Sequence, residues 1–258
     1  MKNSQTITMS VNELTSVYDT DSSLKHYFEA IENVGILNAE KYWLKNLNIS
    51  KTANIADLGT GTGRFIFGAL DLGFLNLDGY DISKNSIKKA KEYLAQNHSN
   101  KTNINVNFYE VDLSNYKYQK QYDFMIFTFN SLMCIPYRIN KINALKNAYT
   151  ALKPNGYIVF SAHEAKGDIN REKLIKQQEK EIKFKNISNW DKGDFVYYQE
   201  GQKGVLSYYD FDEIMSLLNE AGIKQIYKYA HRDSLGKETK NALDFSDNAI
   251  YYVIKKES

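Results

Sequence analysis

The sequence predicts an α/β fold built on a doubly wound, mainly parallel sheet with helices on both faces. Two features of the 258-residue chain carry this prediction. Short apolar runs alternate with amphipathic segments between residues 53 and 162, and a glycine-rich segment joins the first run to the first helix. Ligands of such sheets bind at the carboxyl ends of the strands, near the point where the strand order reverses.

The central part of the chain supplies five of the predicted strands. They are residues 53–58, 76–80, 104–110, 122–128 and 157–162. The predicted crossover helices are residues 63–72, 83–97 and 137–152. Ser83 is the expected N-cap of the second helix, and Pro154-Asn155-Gly156 predicts a turn before the fifth strand.

The N-terminal part precedes this alternation. Residues 1–17 are polar and are expected to be mobile. Residues 24–47 repeat apolar side chains at helical spacing and predict two helices interrupted near Gly35.

The regular alternation ends after residue 162. Residues 166–185 predict a charged helix, and residues 194–209 predict a hairpin around Gly201–Gly204. The remaining predicted segments are a helix at 210–221 closed by Gly222, a strand at 225–231, a polar loop at 233–248 and a strand at 249–254. With these two strands the sheet has seven.

We interpret the whole chain, residues 1–258, as a single domain with four parts. They are an N-terminal helical cap at 1–50, the binding core at 53–162, a helix and hairpin insertion at 164–208 that covers one edge of the sheet, and a C-terminal helix and strands at 209–258.

Composition narrows the class of protein. The formal charge is +2, and only four residues are arginine, so we expect neither a nucleic-acid partner nor a membrane surface. Cys134 is the single cysteine, which excludes an internal disulfide and a cysteine-based zinc site. Neither a signal peptide nor a membrane span is evident, and a cytoplasmic protein is expected.

The glycine-rich segment DLGTGTGRF follows the first predicted strand. Gly59, Gly61 and Gly63 have the spacing G-x-G-x-G, whereas dinucleotide sites use G-x-G-x-x-G, and Arg64 occupies the last position of that pattern. A phosphate-binding P-loop would end in Gly-Lys-Ser/Thr. The segment therefore favours a nucleoside without a pyrophosphate, and a nicotinamide dehydrogenase is disfavoured. Close packing of the turn is the alternative reading.

Acidic residues lie at the ends of the first three predicted strands. Asp57, Asp81 and Asp112 would converge at one edge of a parallel sheet. A carboxylate at the end of the second strand accepts hydrogen bonds from both ribose hydroxyls, and Asp81 fits that position. Asp112 is placed to reach the exocyclic amine of an adenine.

The runs DLGTGTGRF, YDIS, VDLSNY, FTFNSL and ALKPNGYIVF resemble, in order and spacing, the class I S-adenosylmethionine-dependent methyltransferases. The resemblance covers residues 53–162, and residues 210–254 also fit the Rossmann-like fold of that family. It implies an enzyme that uses S-adenosyl-L-methionine as its cofactor.

The resemblance also implies a role for each matching residue. The methionine portion would contact Asp57, Gly59, Thr60, Gly61 and Gly63. The ribose would contact Asp81, with Ile82 beside the adenine, and the adenine would contact Asp112 and the backbone of Leu113. Phe129 and Asn130 would lie nearest the methyl group.

Methyl transfer from a sulfonium is an in-line displacement that depends mainly on orientation. If the acceptor needs a base, His163, just past the fifth strand, is the candidate. Asn130, near the methyl group, is the second candidate catalytic residue. A surface histidine or a hydrogen-bonded core histidine is the alternative reading of His163. Candidate substrate contacts are Tyr18, His26, Tyr197 and Tyr208.

The segment Phe-Asn-Ser-Leu after the fourth strand narrows the acceptor. It lacks the Pro-Pro-aromatic stretch of enzymes that methylate nucleic-acid bases, and it lacks acidic metal ligands. We therefore expect no metal and a small-molecule acceptor methylated on N or O. A methyltransferase of RNA or protein, and a cofactor-binding protein without catalysis, remain alternatives. The oligomeric state is left open.

Overall fold

The computed structural model describes residues 9–164, 166–185 and 190–258. The helices are α1 Val11–Thr15, α2 Asp21–Asn33, α3 Asn38–Asn46, α4 Arg64–Asp71, α5 Lys84–Asn97, α6 Arg138–Ala151, α7 Ile169–Lys185, α8 Phe211–Glu220 and α9 Lys240–Phe245. The strands are β1 Asn54–Leu58, β2 Asn76–Asp81, β3 Asn105–Glu110, β4 Tyr122–Phe127, β5 Leu152–Ala162, β6 Asp194–Gln199, β7 Gln202–Ser207, β8 Lys228–His231 and β9 Ile250–Lys255. Short 3₁₀ helices occupy Ser16–Asp19 and Arg232–Ser234.

Seven strands form one sheet in the order β3-β2-β1-β4-β5-β9-β8. The first five pair in parallel, and β9 runs antiparallel to both of its neighbours. The predicted fold class, a mainly parallel seven-stranded sheet with helices on both faces, is confirmed. The chain moves outward from β1 through β2 to β3 and then returns to the other side of β1 with β4, so the strand order reverses between β1 and β4.

The sheet separates two apolar clusters. One contains α6 and α8 side chains such as Leu145 and Leu217, packed on Phe127 of β4. The other contains α3 and α4 side chains such as Trp43 and Ile66. Burial on both faces explains why β4 is apolar apart from Asp123 near its start.

Several sequence predictions of helices and caps are confirmed. Residues 24–47 form two helices, α2 and α3, with a break at residues 34–37 that contains Gly35. Ser83 caps α5 by accepting a hydrogen bond from the amide of Ser86. Predicted and observed bounds of α6 differ by one residue at each end.

The N-terminal prediction was wrong for the described residues. Residues 1–8 lie outside them, but Val11–Thr15 is helical and a 3₁₀ turn follows it. Leu14 and Val17 are each 1% exposed, and Leu14 packs against Val196 and Val205 of the β6–β7 hairpin. The few apolar side chains of this polar segment are what hold it to the protein.

Two C-terminal predictions also need correction. The polar loop predicted at 233–248 contains α9, which Thr239 caps by accepting a hydrogen bond from the amide of Ala242. Strand β8 begins at Lys228, three residues later than predicted. Short polar helices such as α9 lack the length over which periodicity can be read.

The prediction for strand β5 was also wrong at its start. It begins at Leu152, so Pro154-Asn155-Gly156 lies within the strand, at a register irregularity opposite β4.

The predicted hairpin is present as a separate two-stranded sheet, β6–β7. Its turn is Glu200-Gly201, both at positive φ, whereas Gly204 lies within β7 beside the ring of Tyr197. The amide of Ser207 donates to the carbonyl of Met133, which ties the hairpin to the segment after β4. Residue 165 and residues 186–189 of the predicted 164–208 insertion lie outside the described residues.

Helix α7 has 17 residues and belongs to the same insertion. Its composition is charged rather than apolar. Within the described residues, no helix combines the length and the hydropathy that crossing a bilayer requires.

The packing of the N-terminal segment can be tested with Leu14→Ala. Removing this buried side chain should destabilise the local structure by ~2 kcal/mol, because it leaves a cavity between α1 and β7. Amide hydrogen exchange in residues 11–19 should then accelerate by roughly 30-fold, with little change in β4. The exposed Lys25→Ala variant is the control. Unchanged exchange in residues 11–19 of Leu14→Ala would contradict this packing.

Candidate active site

A cavity of about 1020 Å³, measured to its open mouth, lies at the carboxyl ends of β1, β2, β3 and β4. This is the position expected for the ligand of a doubly wound sheet. Its walls come from the strand ends, the glycine-rich loop, α1, α2 and the segment after β4. The lining residues are Val11, Thr15, Tyr18, Tyr27, Ala30, Gly59, Thr60, Gly61, Thr62, Arg64, Asp81, Ile82, Ser86, Val111, Asp112, Leu113, Thr128, Phe129, Ser131, Cys134, Ile135, Pro136 and Asn140.

The glycine-rich loop is fixed by its own backbone. The amides of Gly59 and Thr60 both donate to the carbonyl of Tyr80, at 2.8 and 2.9 Å. Gly59 has φ +80°, and a Cβ there would lie 2.5 Å from the Cβ of Ser131, so only glycine lets the two loops approach. Gly61 has φ +54°, and a Cβ there would meet no atom within 4 Å, because this residue faces the open cavity.

Asp81 joins this loop to the end of β2. Its carboxylate accepts the amide of Gly61 at 2.7 Å and the amide of Ser83 at 2.8 Å. Burial raises the pKa of Asp81, although these backbone hydrogen bonds oppose the shift. Each oxygen keeps a lone pair, so the carboxylate can still accept hydrogen bonds from a ligand.

Asp112 forms a local turn after β3. One oxygen accepts the amide and the hydroxyl of Ser114, at 2.9 and 2.7 Å, and the other accepts the side-chain amide of Asn115 at 3.0 Å. This is the capping role common for aspartate in loops. Asp112 and Leu113 nevertheless line the cavity.

Asp57, near the carboxyl end of β1 before the glycine-rich loop, is 0% exposed and is not among the residues that line the cavity. Burial raises its pKa to about 7. The hydroxyl of Thr128 reaches Oδ1 at 3.4 Å, and within the described residues no hydrogen bond of normal geometry reaches Oδ2. A buried carboxylate oxygen without a partner is costly, and a cationic ligand group would offset that cost.

Arg64 is an unforeseen part of the site. Its guanidinium donates to both oxygens of Glu40, at 2.8 and 2.5 Å, and to the carbonyl of Gly35 at 2.6 Å. Burial lowers the pKa of Arg64, but the charge and hydrogen bonds of Glu40 outweigh it, and the pKa lies above its ordinary value. The guanidinium also stacks 4.0 Å from the ring centroid of Phe129. Helix α3 is thereby tied to both the glycine loop and the segment after β4.

This segment has an unusual backbone. Phe129 and Asn130 have φ of +46° and +59°, which is rare for residues other than glycine. The amide of Asn130 donates to the hydroxyl of Ser161 at 2.9 Å, and its side chain contacts Nε2 of His163 at 2.7 Å. Phe129 lines the cavity, whereas Asn130 does not.

His163 is 7% exposed and has both ring nitrogens engaged. Nδ1 contacts the carbonyl of Asn248 at 2.9 Å and must carry the proton, so Nε2 accepts from the side-chain amide of Asn130. Burial lowers its pKa. His163 does not line the cavity, so the catalytic role predicted for it requires the ring to leave one of these partners.

The predicted substrate residues occupy different places. Tyr18 lines the cavity, and the hydroxyl of Tyr197 donates to the hydroxyl of Tyr18 at 3.3 Å. His26 is exposed and stacks on Phe245, with ring centroids 4.2 Å apart. Tyr208 lies beside His163, at 6.4 Å between centroids. Of the four, only Tyr18 lines the cavity.

Tyr27 was not among the candidate substrate contacts predicted from the sequence, but it lines the cavity beside Tyr18. The pair Tyr27-Phe28 was visible in an amphipathic helix, but periodicity cannot tell a core-facing ring from a cavity-facing one. Glu40 was also not predicted from the sequence. The available signal was an acid among the apolar residues Ala39, Trp43 and Leu44 of α3.

Within the described residues, no group of three or more His, Cys, Asp and Glu side chains has an arrangement that could hold a metal ion.

Fold and cavity together define an α/β protein with a ligand-sized cavity at the carboxyl edge of its sheet. Comparison with known sequences identifies the family. Residues 49–229 match the profile of a family described as the methyltransferase domain.

Two characterised relatives are similar in sequence. The EEF1A lysine methyltransferase 2 of Danio rerio is 31% identical over 126 residues, which cover 46% of this chain and 52% of the relative. The chain thus matches about half of that protein. The carboxy-S-adenosyl-L-methionine synthase of Nautilia profundicola is 28% identical over 225 residues, covering 83% of this chain and 86% of the relative.

Solved structures share the fold. An S-adenosylmethionine-dependent methyltransferase of Methanosarcina mazei gives a TM-score of 0.66 at 15% identity, over 83% of this chain and 97% of its own. The Burkholderia thailandensis 1,6-didemethyltoxoflavin-N1-methyltransferase, solved with its substrate and S-adenosylhomocysteine, gives 0.56 at 15% identity, over 96% and 85%.

The chain therefore belongs to the methyltransferase domain family, within the class I S-adenosylmethionine-dependent methyltransferases. The predictions of this family, of an enzyme and of S-adenosyl-L-methionine as cofactor are confirmed. The roles of individual residues and the acceptor stay predictions.

The buried pair of Arg64 and Glu40 can be tested by its effect on stability. Glu40→Gln leaves a buried arginine without its counter-charge and should lower the free energy of unfolding by about 3 kcal/mol. Replacing both partners by apolar residues, Glu40→Leu with Arg64→Met, should recover most of this loss. Urea unfolding measures both, with the exposed Glu92→Gln as control. Equal stability of Glu40→Gln and the native protein would contradict the inferred coupling.

Proposed function

We propose that this protein transfers a methyl group from S-adenosylmethionine to a nitrogen or oxygen atom of a small molecule. The observation that carries the proposal is the combination of an open glycine bend at Gly61 with the cavity-facing carboxylate of Asp81. We further propose that the chain works as one domain, in which residues 1–50 and 164–208 cover the core at 53–162 and 209–258.

The residues present fit this cofactor. Gly61 leaves room for a ligand against the backbone, and Asp57 offers an unpartnered buried carboxylate oxygen where an amino-acid ammonium group would lie. Asp81 would accept the ribose hydroxyls. Asp112, Leu113 and Ile82 would surround the adenine. Gly59, Thr60 and Gly63 would shape the loop around the methionine portion, with Phe129 and Asn130 nearest the reacting end.

The bound cofactor supplies an activated methyl group on a positively charged sulfur. The chain has to orient an acceptor against that group, because holding reactants ~3–3.5 Å apart in line can contribute roughly 7–11 kcal/mol to catalysis. Tyr18 and the 3₁₀ turn that carries it would exclude water from the mouth. The hydroxyl of Ser83 donates to Asp19 at 2.6 Å, and the hydroxyl of Thr62 donates to the carbonyl of Tyr27 at 2.8 Å. These bonds hold the covering segments against the cofactor half.

We assign His163 and Asn130 a positioning role in this reaction. Their mutual hydrogen bond and the Ser161 contact hold the left-handed backbone that aims Phe129 into the cavity. Tyr197 would act through Tyr18. His26 and Tyr208 would contact a substrate only if it extended beyond the described cavity.

A protein acceptor is the second candidate, because one similar protein is a lysine methyltransferase of EEF1A. The N-terminal segment contributes Val11, Thr15 and Tyr18 to the cavity lining, and this favours a small molecule over a protein surface. The two acceptor classes can be distinguished by incubating the enzyme and methyl-labelled S-adenosylmethionine with a metabolite extract and a protein extract. We expect label in low-molecular-weight material. Label confined to protein would overturn the small-molecule assignment, and failure of S-adenosylhomocysteine to bind would overturn the whole proposal.

Asp81→Asn tests the ribose contact. It keeps the shape of the side chain but removes the charge that strengthens hydrogen bonds to the ribose hydroxyls, a contribution of ~1.5–3 kcal/mol. Calorimetric affinity for S-adenosylhomocysteine should fall roughly 10- to 100-fold. The exposed Asp71→Asn variant should bind normally. An Asp81→Asn protein with native affinity would exclude a ribose contact.

Asp57 predicts a pH dependence. Its pKa in the folded protein is raised to about 7, so the ionised form that pairs with an ammonium group dominates only above that pH. Affinity for S-adenosylhomocysteine should be about tenfold weaker at pH 6 than at pH 8. Asp57→Asn should flatten the profile.

The stability of the ligand-free protein should change in the opposite direction. A raised carboxyl pKa means that stability is lost as pH rises from about 4 to about 7. Asp57→Asn should therefore raise the melting temperature at pH 8 while it weakens binding. An affinity that does not vary between pH 6 and pH 8 would argue against an ionised Asp57 in the complex.

A further inference from the structure

The part of the cavity outside the proposed cofactor contacts has a distinct chemistry. Its lining includes Val11, Thr15, Tyr18, Tyr27, Cys134 and Ile135. These side chains offer ring faces, methyl groups, hydroxyls and one thiol. None of the six is an acid, a base or a permanent cation at neutral pH.

The polar groups of this part hold their protons. Burial raises the pKa values of Tyr18, Tyr27 and Cys134. The hydroxyl of Tyr18 already accepts a hydrogen bond from Tyr197. These hydroxyls can donate to or accept from an acceptor, but they do not become anionic near neutral pH.

The charged residues of the cavity already have partners within the protein. Arg64 is paired with Glu40, and the oxygens of Asp81 and Asp112 accept hydrogen bonds from their own loops. Among the described lining residues, therefore, no cation is free to pair with a carboxylate or phosphate on the acceptor. Burying such an anion without a partner is strongly unfavourable.

A groove beside the cavity also disfavours anionic ligands. It shares Thr15 and Ile82 with the cavity, and it is lined by four carboxylates and a single lysine. The acids are Asp19, Asp21, Glu110 and Glu200, and the lysine is Lys84. Its negative potential would disfavour the approach of anions, and added salt would weaken this effect.

Resting on the proposed methyl transfer, we propose that the acceptor is an uncharged, largely apolar molecule with a nucleophilic nitrogen, and that Tyr18 and Tyr27 select it. A neutral nitrogen needs no base before it reacts, and the two lining carboxylates, Asp81 and Asp112, are assigned to the cofactor half of the cavity. An alcohol or phenol would have to lose its proton in a desolvated cavity, where the anion is disfavoured.

The bond changes balance without a protein base. The nitrogen lone pair forms the N–CH₃ bond, while the electron pair of the S–CH₃ bond remains on sulfur, which becomes a neutral thioether. The positive charge passes to nitrogen. Aromatic ring faces near a desolvated cation contribute ~0.5–2 kcal/mol. A primary or secondary amine then releases its extra proton to water after the product leaves.

The test uses ligands that share one ring system and differ in a single group. The full-length enzyme, saturated with S-adenosylhomocysteine, is titrated by calorimetry with 1-naphthylamine, 1-naphthol and 1-naphthoate at pH 7.5. Methyl-labelled S-adenosylmethionine then reports which compound is methylated, and at which atom. We expect the amine to bind at least tenfold more tightly than the carboxylate and to be labelled on nitrogen.

Two variants test whether Tyr18 is responsible for the preference for the amine. Tyr18→Phe should weaken amine binding severalfold and leave affinity for S-adenosylhomocysteine within twofold. Tyr198→Phe, a tyrosine that is 65% exposed on the same hairpin as Tyr197, should change neither. Retained amine affinity in Tyr18→Phe would remove Tyr18 from the selection.

Three results, in a protein that does bind S-adenosylhomocysteine, would overturn this inference alone. They are naphthoate binding as tightly as the amine or more tightly, labelling on oxygen, and no binding of either the amine or the carboxylate. A protein that fails to bind S-adenosylhomocysteine would overturn the proposed function, and this inference with it.

Discussion

The parallel pairing of β1 with β2 is the constraint on which the site depends. Their register places Asp57 beside Gly79 and Leu58 beside Tyr80, so the chain leaving β1 meets the end of β2 at once. The carbonyl of Tyr80 then accepts two amides from the glycine loop, and the Asp81 carboxylate accepts a third. A shift of one residue in this register would separate the loop from its acceptors, and the bend around Gly61 would lose its shape.

The segment after β4 depends on the same bend. Ser131 packs where Gly59 has no side chain and donates its hydroxyl to the carbonyl of Leu58 at 2.6 Å. Phe129 is stacked on Arg64, and Arg64 is held by Glu40 from α3. The proposed cofactor contacts are therefore built from four elements that are distant in sequence, and the buried ion pair connects them to the N-terminal helices.

The sequence was sufficient for the features that leave a local signature. Apolar runs located the strands, and glycines at alternate positions located the bend. Asp81 and Asp112 were found because carboxyl ends of parallel strands share one edge. Arg64 shows the limit of this reasoning: its position counted only against a dinucleotide motif, since its partner Glu40 is 24 residues away. Contacts such as those of His163 with Asn130 and Asn248 likewise arise only from the tertiary fold.

The sequence predictions were also wrong for two short segments. Residues 9–17 and 240–245 are too short to show a clear periodicity, so they were predicted to be mobile or a loop, yet Leu14 packs on the hairpin and Phe245 stacks on His26. One or two buried contacts per segment decide their structure.

The central claim is that the carboxyl edge of β1, β2 and β3 holds an adenosine through Asp81. A crystal structure of the complex with S-adenosylhomocysteine tests it most directly. The account predicts both ribose hydroxyls within ~2.6–3.2 Å of the Asp81 carboxylate and the sugar close to Gly61. A ligand bound elsewhere, or a ribose turned away from Asp81, would contradict it.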